Sequence, residues 1–245
     1  MALVNGEEFH HLVRVSRKRV GELIYLFDGT GKIYTARIVK IGGDSAECEI
    51  IEENFMRGEL DVEIAVGQAI LKSHERFEFA LEKLTEIGVR QIIPILTERV
   101  IVSKNPKDIS PNKIERWRKI ILSACKQSNR AIIPELFEPI KFDEFVSLEK
   151  YEKKIIFHES EVENFNRIFL HDYIKSLRNV KSVLLAIGPE GGFSDGEVEK
   201  AIEFGFDVVS LGCRRLRSET ASVVSAGVIA QFFISETKDS QVWKK

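Results

Sequence analysis

The sequence predicts an α/β protein with a parallel sheet, preceded by a small β domain. From residue 62 onward, strand-like and helix-like patterns alternate, which is typical of βαβ units. Two apolar runs near the C-terminus, residues 183–187 and 208–211, each end in a glycine-bearing loop. Before residue 40, two runs rich in β-branched and aromatic residues flank a glycine-rich turn, which indicates a β hairpin. We expect residues 1–66 to form the β domain and residues 67–245 the α/β domain.

The β domain is predicted to contain three strands. Residues 23–27 and 33–39 are the strands of the hairpin, and the turn between them, residues 28–31 (DGTG), tolerates positive φ. A third strand is expected at residues 46–51, after a second glycine-rich turn. The three strands form a meander that could close into a barrel.

A basic cluster lies ahead of the hairpin and consists of four cations with apolar residues among them: Arg14, Arg17, Lys18 and Arg19. This N-terminal basic cluster is either a solvated run of charge or a face that contacts phosphates. The chain carries a formal net charge of −2, which does not by itself indicate a nucleic-acid-binding protein. Any such binding must therefore depend on local patches, because only the charges that meet phosphates release counterions.

The α/β domain is expected to begin with a strand at residues 62–71, a helix at 75–87 and a strand at 91–96. Gly88 is placed to cap this helix in a left-handed conformation. The apolar face of the helix contains Phe77, Leu81, Leu84 and Ile87. Because strands and helices alternate here, we expect one sheet covered by helices on both faces.

A second helix is predicted to start at Ser110 and Pro111, since serine favours the N-cap and proline the first helical position. Its buried face is expected to hold Ile114, Trp117, Ile121 and Ala124. Four cations on its flank fall within about a quarter of the helix circumference, and we name them the helix stripe: Arg116, Lys119, Lys126 and Arg130. The stripe is either a solvated helix face or a second contact with nucleic acid.

The next predicted strand, residues 154–157, is followed by His158, Glu159 and Ser160. The end of this strand should neighbour the loop after residue 187, so His158 and Glu159 could reach a ligand there. Alternatively, Ser160 and Glu163 form the N-terminus of a helix. A crossover helix is expected at residues 161–177.

Residues 183–211 predict a strand, a loop, a helix and a second strand. Ser194 and Glu197 have the spacing of a capping box, and Gly205 is placed for a left-handed cap at the end of the helix. In a parallel sheet, ligands bind outside the carboxyl ends of the strands. The loops that follow the two strands, residues 188–192 (GPEGG) and 212–220 (GCRRLRSET), should therefore share one site.

The second of these loops carries three arginines, a carboxylate and a hydroxyl directly before a helix that is apolar almost all round, residues 223–233. Charges this dense beside a buried element need a partner. For the first loop alone, the alternative is that its glycines and proline merely end a strand.

At these loops the sequence resembles the RsmE-type ribosomal RNA methyltransferases of the SPOUT superfamily. GPEGG followed by LGxRxLRxETA, here residues 211–221, matches the family's motifs in order and spacing. Residues 115–130 also resemble the family's ERWxxIxxxAxxQSxR element, with Gln127, Ser128 and Arg130 in matching positions, although Lys126 stands where the family has glutamate. Residues 10–17 resemble the HHLxxVxR segment of the family's N-terminal domain.

The resemblance implies a trefoil-knotted SPOUT domain after a PUA-like β-barrel. It implies S-adenosylmethionine as cofactor, and methylation of N3 of one uridine in the 16S ribosomal RNA of the small ribosomal subunit. It also implies a homodimer whose interface borders the cofactor pocket, for which the apolar last helix is suited. Under this interpretation the N-terminal basic cluster and the helix stripe are RNA contacts.

The residues of the site follow from the same resemblance. Arg217 is expected to stabilise the anion at N3 or to clamp a phosphate, and Glu219 and Glu190 to orient the base or accept its proton. Alternatively, Glu219 belongs to the first turn of the last helix, where the helix dipole favours a carboxylate. The cofactor is expected to meet His158, Gly188, Pro189, Gly191, Gly192, Leu211, Gly212, Leu216 and Thr220.

Other functions stay open at this point. A related knotted methyltransferase could act on a ribose 2′-oxygen or on a guanine nitrogen, and a non-catalytic RNA-binding protein could retain a degenerate pocket. A nicotinamide-dependent enzyme is disfavoured because GPEGG is not GxGxxG, and no GxxxxGK[ST] motif indicates phosphoryl transfer.

The cysteines, the histidines and the apolar runs of the sequence limit the classes of site and location that are expected. Cys48, Cys125 and Cys213 are odd in number and widely spaced, so we expect core fillers, neither a disulfide framework nor a zinc site. The five histidines lack the spacing of metal ligands, and no metal is expected. No apolar run reaches the length of a membrane span and no signal peptide is evident, so a soluble cytoplasmic protein is expected.

Overall fold

The computed structural model describes residues 1–56, 58–100, 105–159 and 168–236. The chain divides into two compact units. The first comprises Met1–Glu59 together with Asn129–Ile132, and the second comprises Leu60–Ser128 and the chain from Ile133 onward. The division predicted between residues 66 and 67 falls inside a strand of the second unit, β5 (Glu63–Ala69).

The first unit is a four-stranded antiparallel sheet in the order β1-β4-β3-β2. Its strands are β1 (Ala2–Asn5), β2 (Leu23–Phe27), β3 (Lys32–Gly42) and β4 (Ser45–Phe55). The predicted hairpin is β2 and β3, and β4 is the predicted third strand. Strand β1 was not predicted, because four residues are too few for a clear alternation. In the part of the chain that the structure describes, β1 and β2 are the two edges of the sheet.

A short helix, α1 (Gly6–His10), and a π-helical turn, His11–Val15, connect β1 to β2. The apolar core of this unit is a single cluster: Val4, Ile24, Ala36, Ile38, Ala46 and Cys48. Every strand contributes to it, so the alternating side chains of one sheet face form the core.

The second unit is an α/β fold around a parallel sheet in the order β10-β12-β9-β11-β5-β6-β7, with β8 also paired to β6. Its strands after β5 are β6 (Gln91–Leu96), β7 (Glu135–Leu136), β8 (Ile140–Lys141), β9 (Lys153–Phe157), β10 (Ile168–Phe169), β11 (Ser182–Ile187) and β12 (Phe206–Ser210). Each strand pair in the described part of this second sheet is parallel, which confirms the predicted parallel sheet. The α/β fold class is therefore as predicted.

The described part of this unit has six helices, of which three begin within one residue of their predicted starts and two short ones, Phe142–Val146 and Leu170–Tyr173, were not predicted as separate helices. They are α2 (His74–Ile87), α3 (Pro111–Ser128), α4 (Phe142–Val146), α5 (Leu170–Tyr173), α6 (Asp195–Glu203) and α7 (Ser218–Glu236), with 3₁₀ turns at Pro106–Asp108 and Ile174–Leu177. The predicted left-handed cap of α2 is confirmed, since Gly88 has φ +105°. The predicted buried face of α3 is also confirmed. The centroids of the Trp117 ring on α3 and the Phe77 ring on α2 are 4.6 Å apart.

The strand-loop-helix-strand unit is β11, a loop, α6 and β12. Both hydrogen bonds of the predicted capping box between Ser194 and Glu197 are present. Gly205 follows the helix with φ +83°, as predicted. The two strands are not adjacent, because β9 lies between them. The carboxyl ends of β9, β11 and β12 therefore meet at one edge of the sheet.

The structure contradicts the predicted crossover helix and one predicted core position. At residues 168–177, where the end of a long crossover helix was expected, the structure has β10, α5 and a 3₁₀ turn. The β-favouring pair Ile168 and Phe169 instead extends the sheet beside β12. The earlier part of that expected helix, and the proposed start at Ser160 and Glu163, lie outside the described residues. Cys213 is exposed and is not a core filler, whereas Cys48 and Cys125 are buried.

None of the helices in the described part of the chain has both the length and the apolarity needed to cross a membrane.

Candidate active site

A cavity of about 530 Å³ opens at the carboxyl edge of the sheet, within the second unit. The strand-end loops after β9, β11 and β12 surround it, together with the first turn of α7. Its lining contains Arg76, Arg99, Phe157, His158, Glu159, Ile187, Gly188, Pro189, Glu190, Gly191, Gly192, Phe193, Ser210, Leu211, Gly212, Arg214, Arg215, Leu216, Arg217, Ser218 and Ala221. The two glycine-bearing loops thus share one site, as the sequence predicts.

The first loop, residues 188–192, follows β11 and forms a tight turn. The Gly192 amide donates a hydrogen bond to the Pro189 carbonyl at 2.9 Å, and Gly192 has φ +69°. A Cβ atom on Gly188 would lie 3.2 Å from the backbone nitrogen and ring of Phe193. Glycine is therefore favoured at both ends of the turn, at Gly192 by its positive φ and at Gly188 by the closeness of Phe193.

The second loop, which runs from Leu211 to Arg217, follows β12. Gly212 has φ +125°, and its amide donates to the Ser210 hydroxyl at 3.3 Å. The Arg215 side chain forms an ion pair with Glu159, with 3.1 Å between the guanidinium nitrogen and the carboxylate oxygen. This ion pair joins the loop after β12 to the second residue after β9.

His158 is buried and lines the cavity between these loops. Its backbone amide donates to the Val209 carbonyl at 3.1 Å, while its Nε2 is buried and has no hydrogen-bond partner among the described residues. Burial lowers the pKa of His158, and the charge of Arg99 lowers it further. Burial thus favours the neutral imidazole, and Nε2 is a buried polar atom for which the described residues supply no partner.

A buried residue outside the two predicted loops holds the first turn of α7 in place. Gln68, the fully buried penultimate residue of β5, donates from Nε2 to the Ser218 hydroxyl at 3.0 Å and accepts a hydrogen bond from Ser222. The Ser218 hydroxyl donates to the Gly188 carbonyl at 2.5 Å. A glutamine inside an apolar strand was the available signal, because a buried amide needs partners.

The three predicted catalytic residues have different surroundings. Arg217 is exposed and lines the cavity. Glu190 also lines it, and its carboxylate accepts a hydrogen bond from the Lys72 amide at 3.1 Å. Glu219 is buried, lies outside the lining, and has its carboxylate 3.7 Å from the Arg76 guanidinium. Glu219 thus lies in the first turn of α7, as the alternative interpretation of this residue predicts.

Of the predicted cofactor-binding residues, eight line the cavity, and Thr220, which is exposed on the first turn of α7, does not. Arg76 and Arg99 line the cavity and were missed. Arg76 lies in the first turn of α2, and Arg99 follows β6. Applying the strand-end rule to β5 and β6, as well as to the glycine-bearing loops, would have identified both.

Three residues of the N-terminal basic cluster, Arg14, Arg17 and Arg19, are exposed, and Lys18 is partly buried. On α3, the helix-stripe residues Arg116, Lys119 and Lys126 are exposed. Arg116 pairs with Glu78 of α2 at 2.7 Å.

Arg130 requires a correction, because it does not belong to the exposed stripe. Helix α3 ends at Ser128, and Arg130 lies in the segment that belongs to the first unit. Its side chain is only 4% exposed and is paired with Glu59 at 2.7 Å. The helical projection failed because it assumed that the helix continued through Asn129, which has φ +54°.

Residues 192–196 (GFSDG) fit the GxSxG pattern of hydrolase nucleophiles. In the structure, Ser194 is buried at the N-cap of α6, and its hydroxyl accepts from the Glu197 amide at 3.3 Å. The serine thus serves the helix and not a nucleophilic centre. Across the described residues, no group of three or more histidine, cysteine, aspartate or glutamate side chains is arranged to hold a metal ion.

The residues present fit S-adenosylmethionine, the cofactor that the resemblance implies. The cavity has the volume of a small-molecule site. Two of its walls are glycine-bearing loops, which allow close approach of a nucleoside to the backbone. His158, whose Nε2 has no hydrogen-bond partner among the described residues, is one of the lining residues.

Comparison with known proteins gives the same assignment. The family model for an RNA methyltransferase domain matches residues 58–230, and that for an RNA methyltransferase PUA domain matches residues 4–51. Ribosomal RNA small subunit methyltransferase E of Buchnera aphidicola is 32% identical over 94% of this chain and 87% of its own length. The Bacillus subtilis protein of the same name is 28% identical over 93% and 88%.

Solved structures agree with the whole fold. Ribosomal RNA small subunit methyltransferase E from Neisseria gonorrhoeae, solved with bound S-adenosylmethionine, has a TM-score of 0.80 at 31% identity, covering 94% of this chain and 91% of that one. A structure from Legionella pneumophila, described as a methyltransferase with bound S-adenosylmethionine, has a TM-score of 0.80 at 34% identity over the same shares. The chain thus belongs to the RsmE-type ribosomal RNA methyltransferases, with a SPOUT-type α/β domain that follows a PUA-like domain.

Proposed function

We propose that this protein transfers a methyl group from S-adenosylmethionine to N3 of a specific uridine in the 16S ribosomal RNA of the small subunit. The observation that carries the proposal is the single cavity formed by residues 188–192 and 211–217 at the carboxyl edge of the sheet. These are the loops that bear the family's motifs. The relatives named ribosomal RNA small subunit methyltransferase E, and the bound S-adenosylmethionine in two similar structures, support both the substrate class and the cofactor.

The charges around the cavity suit an anionic substrate. Among the described residues that line it, five are arginines, namely Arg76, Arg99, Arg214, Arg215 and Arg217, and two are carboxylates, Glu159 and Glu190. Since Arg215 is paired with Glu159, the remaining arginines give the rim an excess of positive charge. Such a rim attracts the phosphates that flank a target nucleotide.

When bound, S-adenosylmethionine supplies an electrophilic methyl group, so the protein must orient the base and control the charge at N3. We assign Arg217 to stabilise the anion that forms when uridine loses its N3 proton. We assign Glu190 to accept that proton, because it lines the cavity, whereas Glu159 is paired with Arg215 and Glu219 lies outside the lining. Glu219 is assigned the role of orienting Arg76 through their ion pair.

Binding of the RNA is assigned to the exposed cations outside the cavity. The N-terminal basic cluster belongs to the first unit, which we propose to be the RNA-binding domain, and the helix stripe without Arg130 belongs to the second unit. Both are local concentrations of positive charge on a chain whose net charge is −2. Phosphate contacts of this kind set affinity without reading sequence.

Three further properties belong to the proposal: a trefoil knot in the methyltransferase domain, a cytoplasmic location without a metal requirement, and a homodimer. The homodimer is supported by α7, where Val224 and Val228, one helical turn apart, are 37% and 41% exposed. An apolar stripe on an otherwise buried helix suits a self-complementary interface. Ala221, one turn before Val224, lines the cavity, so this interface would border the cofactor site.

The test incubates the protein with isotope-labelled S-adenosylmethionine and small ribosomal subunits that lack the modification. The RNA is then digested, and the labelled nucleoside is identified by mass spectrometry. Label in 3-methyluridine is expected. Label in a 2′-O-methylated nucleoside or in a methylguanosine would replace the uridine assignment, and absence of both label and cofactor binding would overturn the proposal.

A further inference from the structure

The buried amide of Gln68 lies between elements that form different walls of the cofactor cavity. It is 0% exposed and pairs in register with Ile187, the last residue of β11 before the first glycine-bearing loop. Neither family motif includes it, and it does not line the cavity. Its side chain nevertheless contacts two serines of α7. Resting on the proposed function, we propose that Gln68 and Ser218 are positioning residues that set the geometry of the cofactor site.

The hydrogen bonds around Gln68 have a defined direction. Its Nε2 donates to the carbonyl of Ala69 at 2.9 Å and to the hydroxyl of Ser218 at 3.0 Å, which uses both amide protons. Its Oε1 accepts from the hydroxyl of Ser222. Because the carbonyl of Ala69 can only accept, the amide orientation is fixed, and it cannot flip without leaving two buried groups unsatisfied.

Ser218 connects the Gln68 side chain to the first glycine-bearing loop through two hydrogen bonds. Its hydroxyl accepts from Gln68, so its own proton is directed to the Gly188 carbonyl at 2.5 Å. Gly188 begins the loop, and Ser218 directly follows Arg217, the last residue of the second loop. A single hydroxyl therefore joins the two motif-bearing loops, and the buried glutamine determines where it points.

Loss of either side chain should disturb the cofactor site more than the fold. Without Ser218, the Gly188 carbonyl loses its donor and the loop is released from α7. Without Gln68, the Ser218 proton is no longer directed to Gly188. Removing one such hydrogen bond leaves its partner unsatisfied. We expect this loss to change the dissociation constant of S-adenosylmethionine about tenfold.

The experiment measures the dissociation constant of S-adenosylmethionine by calorimetry, with thermal unfolding in parallel, for Ser218→Ala, Gln68→Met and the double variant. The matched control is Ser225→Ala, since Ser225 is also buried on α7 but donates only within the helix, to the Ser222 carbonyl. Ser218→Thr keeps the hydroxyl and should restore binding. Methionine approximates the volume of glutamine without its donors.

We expect each single variant to weaken cofactor binding about tenfold, the double variant to be no weaker than either, and Ser225→Ala to bind as the wild type does. Weakening by Ser218→Ala alone would mean direct contact with the cofactor and would overturn the role of Gln68. Equal binding by Ser218→Ala and Ser225→Ala would overturn the whole inference. If the wild type binds no S-adenosylmethionine, the proposed function fails instead, so the two failures are distinguishable.

Discussion

Gly67 shows at the scale of one residue how tightly the sheet of the second unit is covered. It lies in β5, and a Cβ atom there would be 2.3 Å from the ring of Phe145 on α4. Phe145 is itself fully buried, so its ring has little room to move. The absence of a side chain at Gly67 is thus a packing requirement and not a conformational one.

We expect Gly67→Ala to lower the free energy of unfolding by about 1 to 3 kcal/mol through overpacking. The control is Gly196→Ala in α6, where a Cβ atom would meet nothing within 4 Å. That change should leave stability unaltered or raise it by up to about 1 kcal/mol, because alanine favours a helix more than glycine does. Urea denaturation measures both, and a Gly67→Ala variant as stable as Gly196→Ala would contradict the packing argument.

His158 provides a prediction about pH at the same scale. Burial lowers its pKa, Asp195 and Glu159 partly offset this, and Arg99 lowers it further. Its pKa in the unfolded chain is about 6.5. The unfolded state therefore binds more protons in the range between the two values, and stability must fall there as the pH falls. Above about pH 6.5 the residue is neutral in both states and contributes no pH dependence.

The change His158→Asn should remove this contribution. We expect the wild type to lose more free energy of unfolding than the variant between about pH 7.5 and pH 5, since only the wild type must resist protonation of a buried imidazole. Urea denaturation of both proteins at the two pH values gives the difference, in which the other titrating groups largely cancel. An equal loss of free energy of unfolding in the wild type and the variant would mean that the protonated imidazole is readily solvated in the folded protein.

At the scale of elements, the segment after α3 shows what a buried ion pair does. The side chains of Glu59 and Arg130 are 0% and 4% exposed. The Glu59 carboxylate also accepts hydrogen bonds from the amides of Ala131 and Ile132, both at 3.0 Å. Ile132 forms an isolated bridge with Thr30. One carboxylate thus holds the segment 129–132 in the first unit.

We expect Glu59→Ala to destabilise the first unit by about 3 to 5 kcal/mol, because it leaves Arg130 buried without its carboxylate. The control is Glu115→Ala, which removes an exposed partner of Arg118. It should cost less than about 1 kcal/mol. Hydrogen exchange at the amides of β3 and β4 reports on this unit, and unchanged protection in Glu59→Ala would show that the segment is held by other contacts.

Elements also show what the sequence could predict and where it could not. Periodicity and capping residues predicted α2, the capping box at Ser194 and most central strands, because those signals are local. The projection of Arg130 onto α3 was wrong because one left-handed residue, Asn129, ended the helix two residues earlier. The position of β9 between β11 and β12 could not be predicted, since strand order depends on tertiary packing.

The same reasoning applies to the site. The loops with motifs were predicted, since their residues are unusual in composition and order. Gln68 and Arg76 were missed as site residues, and Ser218 was predicted only as part of the second loop, because their roles depend on elements distant in sequence, up to 154 residues apart in the case of Gln68 and Ser222. Only the assembled sheet brings them together.

At the scale of the whole molecule, positive and negative charges nearly balance, so the positions of the cations matter more for RNA binding than their number does. The chain holds 36 lysine and arginine residues against 38 aspartate and glutamate residues, so attraction to RNA must come from where the cations lie. Of the three proposed contacts on α3, Arg116 is paired with Glu78, and Lys119 and Lys126 are exposed. Lys181 is also exposed, but it precedes the amino end of β11, at the edge of the sheet opposite the cavity. Lys175, in the 3₁₀ turn Ile174–Leu177, is exposed as well.

This arrangement predicts different results for two double variants with the same net charge. We expect Lys119→Ala with Lys126→Ala to weaken binding to 16S ribosomal RNA, and to reduce the slope of log affinity against log salt concentration by about one per lost phosphate contact. Lys175→Ala with Lys181→Ala should leave both quantities near the wild-type values. Filter binding at several salt concentrations measures affinity and slope together. An equal loss in the two double variants would indicate that overall charge governs the interaction and that the α3 surface has no special role.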